Sequence, residues 1–122
     1  MIILDYKDRR PIYEQVVSKL EELMLLGVLK ENEPLPSVRA LAMELSINPN
    51  TIQRAYGELE RRGVIYAAKG RGNFVSDVGD RREERLREVR AEMTALAGKA
   101  RSLGADDAQL TAWVTQKGED SK

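Results

Sequence analysis

Apolar residues recur at steps of three and four along most of the chain, interrupted once by a short β-prone stretch. Ile12, Val16, Leu20, Leu23 and Met24 form a stripe that ends near Gly27. This predicts an amphipathic helix with Pro11 in its first turn. "LKENEPLP" (29–36) is broken twice by proline and predicts a loop. Val38, Leu41, Ala42 and Leu45 mark a second, short helix, capped by Ser37 and stopping near Ser46. Ile52, Ala55, Tyr56 and Leu59 mark a third, with Asn48 as cap and Pro49 in the first turn. The connection "LSINPN" is short enough for a helix-turn-helix. Next, "VIYAA" and "NFVSD" flank "KGRG" and predict a hairpin, because two glycines permit positive φ at its turn. The opening "MIILDY" is β-prone and predicts an extended arm or an edge strand.

From Asp80 onward the chain is strongly helical and highly charged. Leu86, Val89, Met93, Leu96, Ala100 and Leu103 alternate steps of three and four, an a/d seam that predicts pairing with a second helix. The alternative is packing against the chain's own first helix. Gly104 breaks the run. "ADDAQLTAWVTQK" predicts a shorter helix with Asp106 or Asp107 as cap and Leu110, Trp113 and Val114 on its apolar side. Trp113 is expected in the dimer interface; the other role open to it is the aromatic wall of a ligand pocket. The expected fold class is mainly α. It comprises a winged helix-turn-helix (three helices plus a β-hairpin wing) over 1–77, a C-terminal two-helix dimerisation tail over 78–117, and a disordered end at 118–122.

Composition narrows the chemistry. The 122 residues include no Cys and no His. Disulfides, thiol nucleophiles, thiolate–zinc sites and imidazole acid–base catalysis are therefore excluded. No motif supports a carboxylate-only metal site, so no enzyme, metal or cofactor is expected. No apolar run approaches the roughly 20 residues of a membrane span. The first charges follow the apolar stretch "MIIL" rather than precede it, the reverse of a secretory signal. A cytoplasmic location with no membrane partner is expected. Lys and Arg equal Asp and Glu over the whole chain, yet between Leu35 and Ser76 six bases face three acids, leaving +3. That excess points weakly to nucleic acid.

The start of the third helix carries more information. A helix N-terminus presents unpaired N–H groups and partial positive charge. Asn, Gln and Arg match the donor and acceptor patterns of base edges, and Thr suits a phosphate or a thymine methyl. Asn50, Thr51, Gln53 and Arg54 thus form a candidate reading surface, with capping as the competing role for Asn48 and Thr51. Arg39 stands in the first turn of the second helix, near Ser37, where its charge opposes the helix dipole. A phosphate or guanine would account for it; an ion pair with Glu44 is the alternative. Lys69, Gly70, Arg71 and Gly72 at the hairpin tip could approach a groove or backbone, or form a turn with solvated charges.

"PLPSVRALAMELSINPNTIQRAYGELERRGVIYAAKGRGNFV" resembles the GntR family of bacterial winged helix repressors. "PIYEQV" (11–16) and "NPNTIQRAY" are similar to its short-tailed YtrA-like branch. The likeness spans about positions 11 to 76. It implies operator contacts from Arg39, Thr51 and the early third-helix positions, and a wing around Lys69–Gly72 on or near the minor groove. Some branches carry Arg where Pro49 and Gln53 stand here, which moves base contacts toward Asn50, Gln53 and Arg54. About forty residues follow the wing, too few for an independent effector domain. The short-tailed branch uses them as two dimerising helices. The resemblance thus implies a homodimeric repressor of double-stranded DNA that binds an inverted-repeat operator and is released by a small-molecule effector. Phosphate contacts are expected from Arg39, Lys69, Arg71 and from Arg61 or Arg62. The rival is a winged-helix protein–protein module, against which Asn50, Gln53 and Arg54 argue.

Overall fold

Pro11 lacks a backbone N–H and so begins a helix without leaving a donor stranded; in the computed structural model, which describes residues 2–116, it is the N-cap of α1 (Ile12–Leu25). Val16, Val17, Leu20 and Met24 of α1 are fully buried, each worth about 1.5–3 kcal/mol of transfer free energy. The helix α2 (Val38–Leu45) starts at Ser37, whose Oγ accepts the Ala40 N–H at 3.0 Å. It ends at Ser46, held left-handed at φ 55, a conformation that lets the chain reverse within three residues. Asn48 Oδ1 accepts the Asn50 N–H at 2.8 Å and opens α3 (Pro49–Arg61). The second and third helices are thus a helix-turn-helix, packed with α1 around Leu20, Leu41, Ile52 and Leu59.

β1 (Ile65–Ala68) and β2 (Gly72–Val75) form an antiparallel hairpin in which Ile65 faces Val75 and Ala68 faces Gly72. The Arg71 N–H donates to the Ala68 carbonyl at 2.8 Å, and Gly70 turns the chain at φ 78, the sign this turn position demands. The proline-broken stretch is more than a loop. Pro34 bridges Phe74, and the Asn32 and Leu35 N–H groups donate to Val75 and Asn73 at 2.7 and 2.9 Å. It serves as a rudimentary third strand, and the Tyr66 hydroxyl adds a 2.8 Å bond to Asn32. The N-terminal segment is an arm and not a strand: Ile2 is buried in the core, and the Asp5 N–H reaches Gln15 Oε1 at 3.1 Å.

The chain divides into two compact units, Met1–Arg82 and Glu83–Lys122. The first extends past the wing to Arg82 because the start of α4 (Gly79–Ser102) binds α1. Arg82 donates to the Leu25 and Met24 carbonyls at 2.6 and 3.1 Å, satisfying the end of α1. In the second unit, α4 stops in a Schellman turn: the Ala105 N–H donates to Ala100 and the Gly104 N–H to Arg101, both at 3.0 Å. Leu103, the last residue of the seam, lies one step beyond the helix. Asp106 and Gln109 form a capping box at the head of α5 (Asp107–Thr115). The expected disorder at 118–122 lies outside the described residues. Among those described, no helix is long and apolar enough to cross a membrane.

Candidate nucleic-acid interface

The third helix is sharply two-faced. Ile52, Ala55, Tyr56 and Leu59 are buried, whereas Asn50, Gln53, Arg54 and Gly57 are exposed and fall at steps of three and four along the opposite side. Thr51 is half-buried between the two faces. The side-chain oxygens of Ser37 and Asn48 each accept a first-turn N–H of their own helix, the cap position expected of both. Arg39, Lys69, Gly70, Arg71 and Gly72 are exposed. Among the described residues, no ion pair or hydrogen bond engages the side chains of Arg39, Gln53, Lys69 or Arg71.

Two interactions fix the geometry of this face. The Tyr56 hydroxyl donates to the Pro36 carbonyl at 2.7 Å, tying the middle of α3 to the residue before the α2 cap. Burial, reinforced by the charge of Glu44, pushes this phenol up to about 12, so it remains a donor at any physiological pH. At the other end, Arg62 donates to Glu21 on α1 at 3.0 Å, and Arg81 donates to the same carboxylate through Nε at 3.1 Å. Burial pushes Glu21 up, but the hydrogen bonds from Arg81 and Arg62 outweigh it, and the carboxyl lies below its ordinary value.

Arg61 and Arg62 differ from the other candidate cations. Both clasp Glu58, at 2.6 and 2.7 Å, and these bonds hold the Glu58 carboxyl down to about 2. A polar cleft of about 460 Å³ beside them is lined by Arg10, Glu14, Ser18, Glu58, Arg61 and Arg62. Its three guanidinium groups are already committed, since Arg10 is bound to Asp8 and Ser18. Of the candidate phosphate contacts, Arg39, Lys69 and Arg71 are therefore the ones that make no ion pair among the described residues.

Asn50, Thr51 and Arg54 share a shallow notch of about 370 Å³ with Pro11, Ile12 and Tyr13; Arg39 and the wing residues do not line it. The Arg54 guanidinium lies 3.7 Å over the Tyr13 ring. Sequence patterns singled out neither Tyr13 nor Gly57. Gly57 had a legible signal, a glycine within a helical run on the exposed side. Tyr13 had none, because its partner is 41 positions away and on another helix.

In the second unit the seam is open. Leu86, Val89, Met93 and Leu96 are 60, 40, 50 and 64% exposed, far more than a buried stripe allows. Met93, Leu96, Ala100, Leu110, Trp113 and Val114 line an apolar groove of about 560 Å³ between α4 and α5.

The sequence pattern of "Bacterial regulatory proteins, gntR family" matches residues 12–75. The chain is 36% identical over 124 residues to the HTH-type transcriptional repressor YtrA of Bacillus subtilis (strain 168), covering 100% of this chain and 95% of that one. A GntR family transcriptional regulator from Listeria monocytogenes is similar in structure, with a TM-score of 0.62 at 33% identity over 91% of this chain and 98% of its own. AraR(DBD), solved in complex with operator ORE1, aligns with a TM-score of 0.54 at 26% identity over 61% of this chain and 90% of that one.

Proposed function

This chain belongs to the GntR family of bacterial regulatory proteins, and from that premise we propose that it is a sequence-specific DNA-binding transcriptional repressor acting in the cytoplasm as a homodimer. The observation that carries this reading is the two-faced third helix. Its buried side anchors it rigidly, and its exposed side offers Asn50, Gln53 and Arg54 at a capped N-terminus. Arg39 supports it from α2, and Lys69 and Arg71 support it from the wing. All three are cations without protein partners among the described residues, so no internal bond must break before they meet phosphates. Ser37, Asn48, Thr51, Gly70 and Gly72 complete the contact surface through helix termini and close main-chain approach.

The open seam supports the pairing of two chains. Leu86, Val89, Met93, Leu96 and Ala100, with Leu103, Leu110 and Trp113 beside them, present apolar surface that a second copy would cover. A two-fold dimer requires an inverted-repeat operator with half-sites about 10 bp, or a multiple of it, apart. A small-molecule effector would release the repressor.

Selection of duplexes from a random pool by the purified protein tests the proposal. Inverted repeats with that spacing are expected. Three phosphate-binding cations per subunit predict that log K falls against log salt with a slope of roughly −5. Recovery of an unselected pool, even in dilute buffer, would exclude sequence-specific binding. Metabolites can then be screened for release of the selected duplex.

A further inference from the structure

The uncommitted cations of the candidate interface extend into solvent, but Arg54 is already seated. Its guanidinium carbon lies 3.7 Å above the centre of the Tyr13 ring, a stacked cation–π arrangement. Tyr13 is in the first turn of α1, outside the helix-turn-helix, and its half-buried ring packs against the core. The seat is therefore fixed by the fold. A stacked guanidinium is held by its face, which leaves the edge N–H donors open, and no described residue accepts from them. Six other arginines, Arg10, Arg61, Arg62, Arg81, Arg82 and Arg101, use those edges on carboxylates, a hydroxyl or backbone carbonyls. Asn50 and Thr51, one turn earlier on α3, line the same notch.

We propose that Tyr13 is a positioning residue for DNA readout: its ring presets the Arg54 side chain so that the free guanidinium edge meets a paired acceptor on the duplex. This inference rests on the DNA-binding function proposed above. The paired acceptor is either guanine O6 and N7 or two phosphate oxygens, which share the same fork-shaped chemistry. An arginine free in solvent loses rotamer freedom on docking. Stacking removes part of that loss beforehand, so a residue that need not touch DNA strengthens binding.

A double-mutant cycle on the full chain, with the duplex the unaltered protein selects, provides the test. Tyr13→Leu should weaken binding about two- to fivefold per subunit, the range of an exposed cation–π contact. Tyr13→Phe, which keeps the ring, should restore nearly all of it. In the Arg54→Ala background, Tyr13→Leu should cost nothing further. If Arg54 meets guanine, Arg54→Ala relaxes preference at one position per half-site; if it meets phosphate, affinity falls alike for all sequences and the salt slope shrinks by about one per subunit. An equal loss from Tyr13→Leu in both backgrounds, or no loss in either, overturns the seat while leaving DNA binding intact. Absence of any duplex preference in the unaltered protein overturns the function and this inference together. Should Tyr13→Leu unfold, NMR of the free unaltered protein decides: Arg54 Cδ protons shifted upfield by the ring support the seat, and random-coil values refute it.

Discussion

Gly57 occupies an exposed position deep within α3, where glycine is a poor choice for the chain itself. A Cβ built there meets nothing within 4 Å, so no internal contact excludes a side chain. Helical backbone does not need glycine either, and the residue costs roughly 0.5–1 kcal/mol relative to alanine. Gly57→Ala should therefore stabilise the first unit. For a domain near this size, 1 kcal/mol corresponds to roughly 4–8 °C, so the melting temperature should rise by about 2–8 °C. Gly57 also continues the face of Asn50, Gln53 and Arg54, at spacings of seven, four and three. If that face lies against DNA, an added methyl group intrudes on a close contact. Overfilling a packed contact costs about 1–3 kcal/mol, and that would weaken operator binding roughly 5- to 150-fold. Gly57→Leu should weaken it further. Differential scanning fluorimetry of the free protein and fluorescence anisotropy with the selected duplex separate the two effects. A lower melting temperature would mean that the chain itself requires the glycine. A higher one with unchanged affinity would mean that DNA does not approach α3 at this point.

Other perturbations test other parts of the molecule. Arg39→Ala should lose about 1–3 kcal/mol of operator affinity per subunit while sedimentation still finds a dimer; undiminished affinity removes Arg39 from the interface. Leu96→Glu places a charge in the open seam and should sediment as a monomer, and a persistent dimer would assign the interface elsewhere. Glu21→Gln leaves Arg81 without its carboxylate partner and Arg62 with Glu58 alone. Because Glu21 is 6% exposed but the arginine side chains are 39 and 37% exposed, the loss should be about 1–3 kcal/mol, below that for a fully buried pair. Its folded pKa is depressed, so its contribution is complete above the unfolded value near 4.5 and disappears as pH falls through the folded value. Thermal melts between about pH 6 and pH 3, roughly the range of a carboxyl titration, should fall less steeply for Glu21→Gln than for the unaltered chain.

Local physics made much of the fold legible in the residues alone. Caps at Ser37 and Asn48, Pro49 in the first turn of α3 and the stripe Ile52–Ala55–Tyr56–Leu59 each depend on neighbours within one or two turns. So do the hairpin around Gly70 and the break at Gly104. The period of the α4 seam was likewise readable, but its exposure was not, since periodicity marks a face without saying what covers it. The candidate interface divides in the same way. Asn50, Gln53 and Arg54 could be placed on one surface from spacing, yet spacing does not distinguish a committed cation from an uncommitted one. Tertiary structure engages Arg61 and Arg62 with Glu58, with Arg62 also reaching Glu21, 41 residues away. It brought Arg81 to the same carboxylate across 60 residues and seated Arg54 on Tyr13. It also turned a proline-broken loop into a brace for the wing through Pro34 and Phe74. Such pairings depend on which faces of distant elements meet. A periodic pattern specifies that a face exists, and packing alone selects its partner.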